Sequence, residues 1–337
     1  MTSEGVRIRR RPEDFRVDEV PLYAAAGTGA HTFVRVEKRL RTTEQVAREL
    51  ARAAGVRPRD VGYAGRKDRV AVTTQWLSVP GLDPGHALEL SLEGARVLEA
   101  VRHPHKLRTG QLRGNRFDIL VHGVDADLHA VVAERLEGVL ARGLENRFGA
   151  QRFGRDGQNL ERASRLLRGG GSAPRGRETR FLWSALQAAV FNAVLAGRPA
   201  PPDVLLPGDV AVRHDSGGLF VVDDTAAEAA RARAFEISPT GPIFGTREIA
   251  PVGEVAARER AVLEAHGIDP DDLPRPRGVR LRGARRPLRV RPTEASLTRI
   301  GADLRLRFTL PPGSYATVLI ETLLGAAPDE APDASLV

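Results

Sequence analysis

Cysteine is absent from these 337 residues, which excludes disulfides and thiolate metal sites and leaves the chain compatible with a reducing cytosol. Long apolar runs are absent too, and nothing approaches the roughly 18 consecutive apolar residues of a membrane span. The opening Met1-Thr-Ser-Glu-Gly5 lacks the basic-then-apolar layout of a secretory leader. A cytoplasmic protein without membrane contact is therefore expected. No GxGxxG, Walker lysine loop or HExxH occurs to suggest dinucleotide, nucleotide or zinc-protease chemistry. Lysine is scarce: Lys38, Lys67 and Lys106 are the only ones, and 48 of the 51 basic residues are arginine. A GC-rich genome would produce that bias unaided, although arginine also suits bidentate phosphate contacts and stacking on bases. With 43 acidic residues the formal net charge is +8, which favours a polyanionic partner.

What is present is ordinary in bulk, 42% hydrophobic and 28% charged, and long enough for two domains or one domain with a large insertion. The informative stretch is residues 61–76. Its second part, running to residue 79, is β-branched and aromatic without Gly or Pro, and reads as a strand. Its first part is a glycine-punctuated approach carrying Arg66, Lys67, Asp68 and Arg69 in a row. An acid among three bases at the mouth of a buried strand is placed to stay charged at neutral pH, because nearby opposite charges favour the ionised form. A surface ion-pair cluster capping a strand would look the same.

Around this stretch, residues 7–20 alternate from Phe15 onward, with Phe15, Val17 and then Val20 facing inward, after a turn at Pro12-Glu-Asp14. Residues 32–38 form a second strand. Thr42 and Gln45 make a capping box for a helix whose inner face is Val46, Ala47, Leu50, Ala51 and Ala54, closed by Gly55. Strand, helix and the Asp68 strand in succession suggest a crossover unit and an α/β sheet. Residues 102–114 read as a polar loop with Arg102, Lys106, Arg108 and Arg113 and no acid, suited to phosphate contacts if RNA binds. With no cysteine and no nearby carboxylate, His103 and His105 are not read as a metal pair. Asn115 and Phe117 open a strand with Ile119 and Val121 inward; an amide beside a ring is what a flipped base needs, and the same pair also reads as a turn residue and a core ring.

Residues 127–142 form an amphipathic helix ended by Gly143. Beyond it lie a flexible loop at 169–176, a helix at 180–196, a linker at 199–207 and a hairpin within 210–223. A turn-rich segment at 238–245 and a helix at 254–266 follow. Residues 275–291 hold arginine at 275, 277, 280, 282, 285, 286, 289 and 291 without an acid, and are read as RNA-contacting, with Arg285 and Arg286 as phosphate contacts. Residues 304–310 alternate as a strand and lead through Pro311-Pro-Gly-Ser-Tyr315 into a helix. Residues 327–337 read as a disordered tail.

Several of these segments resemble one family. Gly65-Arg-Lys-Asp68-Arg-Val-Ala71-Val72-Thr73-Thr-Gln75 is similar to the signature of the TruD family of tRNA pseudouridine synthases. Pro12-Glu-Asp-Phe15, Asn115-Arg-Phe117, Asn146-Arg-Phe-Gly-Ala-Gln-Arg-Phe-Gly154 and Leu310-Pro-Pro-Gly-Ser-Tyr-Ala-Thr317 follow the family's order. The resemblance implies a pseudouridine-synthase domain with a mixed sheet (1–142 with 290–337) carrying an inserted α/β domain (143–289). It implies Asp68 as the catalytic carboxylate, with Phe15, Asn115, Phe117 and Tyr315 at the substrate. The family commonly has Phe where Tyr315 stands, and the added hydroxyl needs a partner if buried. Lys67 is expected to keep Asp68 charged or to bind a phosphate; on the opposite strand face it would do neither. Asn146, in a second Asn-x-Phe, is kept as structural. The implied partner is tRNA, with uridine 13 as target and no protein partner. Because the reaction only re-attaches the uracil through C5, no cofactor or metal is expected. The rival readings are a basic RNA-binding protein without catalysis and a pseudouridine synthase acting on another RNA.

Overall fold

The computed structural model describes residues 5–170, 177–246, 249–276 and 280–330. Residues 171–176 of the expected loop, Arg277 and the tail from 331 lie outside them. The chain divides into two units, Met1–Glu137 with Pro292–Ala316 and Ile320–Val337, and Gly138–Arg291 with Thr317–Leu319.

The first unit opens with β1 (Arg7–Ile8), β2 (Phe15–Pro21), β3 (His31–Arg39), α1 (Thr43–Ala53), β4 (Gly62–Tyr63) and β5 (Val72–Pro80). It continues with α2 (Pro84–Glu89), β6 (Ala95–His103), β7 (Leu112–His122) and α3 (Ala126–Arg142), the last crossing the unit boundary. The second unit contains β8 (Leu144–Glu145), α4 (Gln158–Leu167), α5 (Arg177–Ala196), β9 (Val210–Arg213), β10 (Leu219–Val221), α6 (Thr225–Arg233), β11 (Ile237–Ile243), α7 (Gly253–Ala265), β12 (Ala284–Pro287) and β13 (Arg289–Val290). The chain closes with β14 (Thr293–Ile300), β15 (Asp303–Leu310), α8 (Ala316–Leu324) and β16 (Asp329–Glu330).

The expected α/β class holds. A ten-stranded sheet runs β14-β15-β7-β2-β5-β3-β6, with β1, β4 and β16 at its margins. It is mixed: β2 and β5 are parallel, β1 and β16 are parallel, and the remaining pairs are antiparallel. Helix α1 begins on the expected Thr42–Gln45 capping box and buries Val46, Ala47, Leu50 and Ala51 against Val34, Val36, Leu77 and Val79. Each fully buried Val or Leu side chain here contributes about 1.5–3 kcal/mol.

The crossover expectation needs correction. β3 and β5 are antiparallel, with Arg39 opposite Val72. After α1 the chain pairs β4 with the far end of β5, at Leu77 and Ser78, and must run back to reach Val72. That returning stretch carries Asp68 to the end of the sheet where β3 stops.

In the second unit, β10-β9-β11-β12 form a four-stranded antiparallel sheet and β8 pairs with β13. The hairpin at 210–223 is present. Most of the expected turn-rich segment 238–245 is instead strand: β11 runs buried through Ile243 despite Pro239 and Pro242. Proline lacks a donor but keeps its acceptor, and the Pro239 carbonyl takes the Leu288 N–H. Gly241 lets the strand pack closely there, since a Cβ would meet Phe191 and Leu288 at 3.0–3.1 Å and they would have to give way. Among the described residues no helix is long and apolar enough to cross a membrane.

Candidate active site

Directly opposite residues of antiparallel strands share a face, so register fixes what lies beneath Asp68. Val17 faces Phe117, which faces Phe308; Glu19 faces Asn115, which faces Leu310. On the other side Val17 aligns with Thr73 and Thr73 with Lys38. One rung of this face therefore reads Lys38, Thr73, Val17, Phe117 and Phe308.

Asp68 stands at the end of this face with 36% of its side chain exposed. The cation that meets its carboxylate is not a sequence neighbour. Arg66 pairs with Glu44 and Lys67 with Glu19, while Arg9 reaches Asp68 at 2.7 Å. The Arg9 guanidinium also lies 4.1 Å from the centre of the Phe15 ring, a cation–π contact. Arg9 has φ 58, a conformation uncommon for a residue with a side chain. Its stretch is anchored on both sides. Arg7 pairs with His122 in the sheet, and the His122 ring bridges Asp14 at 3.0 Å and Asp303 at 2.9 Å.

The expectation that Lys67 serves the substrate is not met. Its ammonium is 2.5 Å from Glu19, with the two side chains 5% and 1% exposed. Glu19 also accepts the Trp76 N–H, just past the last β2–β5 register pair, Asp18 with Thr74. The third inward residue of β2 is thus Glu19, not the expected Val20, and the pair clamps the returning stretch to the sheet. Further ties are the Lys67 N–H to Thr43, and Gln75 to both Thr43 and the Gly65 carbonyl. Lys38 donates to the Asp68 main-chain carbonyl at 2.6 Å.

Two of the expected rings, Phe15 and Phe117, are brought together, and the third ring of the group is Phe308 rather than Tyr315. Phe15 and Phe117 meet edge-on at 6.2 Å, and Phe117 stacks on Phe308 at 5.1 Å. Phe15 is only 3% exposed, its ring under Arg9, so it presents no open face. Asn115 lies on the same sheet face as Phe117, two residues away, and its side-chain oxygen is buried without a hydrogen-bond partner. A buried acceptor left unpaired is costly, and a ligand donor would relieve it. Tyr315 is half-buried at the start of α8, five residues beyond Leu310.

The basic segment divides. Arg108 and Arg113 are exposed, Arg102 approaches Asp83 at 3.6 Å, and Lys106 bonds the Arg59 carbonyl at 2.6 Å. His103 packs against Tyr23 and Phe33, its Nδ1 accepting from the Ala26 N–H. The expected phosphate contacts Arg285 and Arg286 do not hold. The Arg285 side chain is wholly buried, bonded to both Glu259 oxygens and to Thr240. Arg286 is bonded to Asn146 and lies 4.2 Å from the centre of the Phe148 ring. Asn146 is structural, as expected.

Arg9, Lys38 and Glu19 are the residues sequence reasoning missed. Alternation in β2 would have placed Glu19 inward had charge not argued against it. Nothing in the local sequence links Arg9 or Lys38 to Asp68.

The model of the family described as tRNA pseudouridine synthase D (TruD) matches residues 1–169 and 177–323. A protein named tRNA pseudouridine synthase D from an Anaeromyxobacter species is 46% identical over 97% of this chain and 94% of its own. Another so named, from Geobacter metallireducens, is 38% identical over 98% and 97%. A crystal structure titled as a TruD protein from Methanosarcina mazei superposes with a TM-score of 0.74 at 21% identity, over 97% of this chain and 95% of that one, and so shares the fold. This chain belongs to the tRNA pseudouridine synthase D family.

Proposed function

We propose that this chain isomerises a uridine of tRNA, at position 13, to pseudouridine, with Asp68 as the carboxylate that acts at the ribose. The observation that carries the reading is the solvent-facing Asp68 carboxylate held 2.7 Å from Arg9. The reaction breaks N1–C1′, turns the uracil and forms C5–C1′; C5 gives up a proton and N1 gains one, so electrons and atoms balance without a redox partner. Whether the carboxylate attacks C1′ or first takes a sugar proton, it must be reachable, and Arg9 holds it in place while leaving it partly exposed. The unpartnered Asn115 oxygen suits the N3–H of a uracil lifted from its stack. Phe117, with Phe15 beneath Arg9, supplies the apolar floor, and Tyr315 is the more open ring. Arg108 and Arg113 are the remaining candidates for phosphate contact, with Arg102 and Lys106 beside them.

The test uses unmodified tRNA transcript and counts pseudouridine by mass spectrometry. Asp68→Asn is expected to abolish product while tRNA affinity stays within about threefold, since the substitution removes a group acting in the reaction rather than in binding. Wild-type turnover by Asp68→Asn would take the role from Asp68. Mapping pseudouridine across total RNA with and without the protein separates tRNA from another RNA target.

A further inference from the structure

Lys38 is 2% exposed, yet among the described residues no carboxylate lies within ion-pairing distance of its ammonium. It donates instead to a single main-chain carbonyl, that of Asp68, at 2.6 Å. Burying an ammonium without a paired charge is expensive, so an arrangement of this kind calls for a reason beyond packing. The other ties on the returning stretch grip the Gly65 carbonyl, the Arg66 side chain, Lys67 and the Asp68 carboxylate. Lys38 holds the Asp68 main chain itself.

We propose that Lys38 is a positioning residue for the isomerisation, fixing the Asp68 backbone so that the carboxylate keeps its line to Arg9 and to the ribose. The proposal rests on the reading of Asp68 as the reacting carboxylate. The charged groups facing Lys38 are Asp68 and Lys67 from the returning stretch and Glu44 from α1. Lys67 is offset by Glu19 of β2 and Glu44 by Arg66, while the register partners on β5 and β6 are the uncharged Thr73 and Ala95. Burial lowers the pKa of Lys38 from 10.5 to about 8, with Asp68 and Glu44 pulling it back up and Lys67 adding to the fall.

Activity and stability should therefore part company in alkali. As pH rises through about 8 the folded protein loses the ammonium, its grip on Asp68 weakens and turnover falls. The folded value lies below the unfolded one, so between about 8 and 10.5 the unfolded chain holds the proton more tightly, and Lys38 adds stability as pH rises. A purely structural role would not lower activity while stability from the same group increased.

The experiment measures single-turnover pseudouridine formation, tRNA affinity and thermal midpoint for wild type, Lys38→Met and Lys38→Arg between pH 6.5 and 9. Lys38→Met is expected to slow single turnover at least tenfold with affinity within about threefold, and to lose the alkaline fall of the wild type. Lys38→Arg, whose charge persists, is expected to recover part of the rate and to move the fall to higher pH; this variant decides the matter if Lys38→Met does not fold. A wild-type rate and an unchanged pH profile in Lys38→Met, or an unchanged profile in Lys38→Arg, would overturn the proposal. Asp68→Asn run alongside separates the two readings: an active Asp68→Asn removes the parent assignment, whereas an inactive one beside a fully active Lys38→Met removes only the positioning role.

Discussion

Arg9 holds two interactions at once, an ion pair to Asp68 and a stack over Phe15, from a left-handed backbone conformation. A left-handed φ costs a residue with a side chain about 1–2 kcal/mol, and the surrounding anchors must offset that strain. Removing the guanidinium takes away the charge that orients the carboxylate and uncovers the Phe15 ring. Arg9→Ala is expected to lower the single-turnover rate by about 10²-fold, the usual penalty for misplacing a reacting group. Arg9→Lys should fall between, since it keeps the charge but not the planar stack. Rates measured on tRNA transcript check both, and equal rates for wild type and Arg9→Ala would show that Asp68 is oriented without it. At this scale the sequence was legible where a motif is local and opaque where contacts are distant. Asp68, Asn115 and Phe117 were singled out by short motifs that resemble a family's, and the last two do share one sheet face. Arg9, 59 positions from Asp68, could not, because the bases adjacent to Asp68 were the obvious partners and the fold sends two of them elsewhere.

At the scale of the element, β2 shows why alternation read as hydrophobicity falls short. Phe15 and Val17 were found, but the next inward position is Glu19, acceptable only because Lys67 and the Trp76 N–H meet its carboxylate. Helix α1, by contrast, was readable in full, because its cap and its inner face both follow from spacing within the helix. β11 was misread because two prolines and a glycine outweighed a buried environment that no local pattern reveals. The Glu19–Lys67 pair carries a stability prediction. Lys67→Met leaves a buried carboxylate unpaired and should destabilise the first unit by about 3–5 kcal/mol, while Glu19→Gln with Lys67→Met should recover much of the loss. Trp76 lies in the first unit and Trp183 in the second, so urea unfolding followed by Trp76 fluorescence in a Trp183→Phe background reports the unit concerned. An unchanged midpoint for Lys67→Met would show that the pair contributes nothing.

At the scale of the whole molecule, the question is where a net charge of +8 is put to use. Counting arginines along the chain pointed to residues 275–291, but sequence cannot say which guanidiniums are bound internally. Arg285 neutralises the buried Glu259, Arg286 bonds Asn146, and Arg289, 1% exposed, donates to the carbonyls of Arg142, Ala232 and Ile237. These interactions hold the second unit together, with the side chain of Arg285 and the whole of Arg289 buried and the half-buried Arg286 engaged by Asn146. Arg108 and Arg113 are exposed, and no acid pairs with them among the described residues. A cation that contacts phosphate releases counterions, lowering the slope of log affinity against log salt by about 0.7–0.9 per contact when removed. Arg108→Gln with Arg113→Gln is therefore expected to weaken tRNA binding and flatten that slope by about 1.4–1.8. Arg285→Gln with Glu259→Gln, which removes the same number of side-chain charges but leaves none unpaired in the interior, should leave the slope unchanged. Binding titrations between 50 and 300 mM salt distinguish the two pairs; the reverse result would return RNA contact to the 275–291 run and take it from the loop before Asn115.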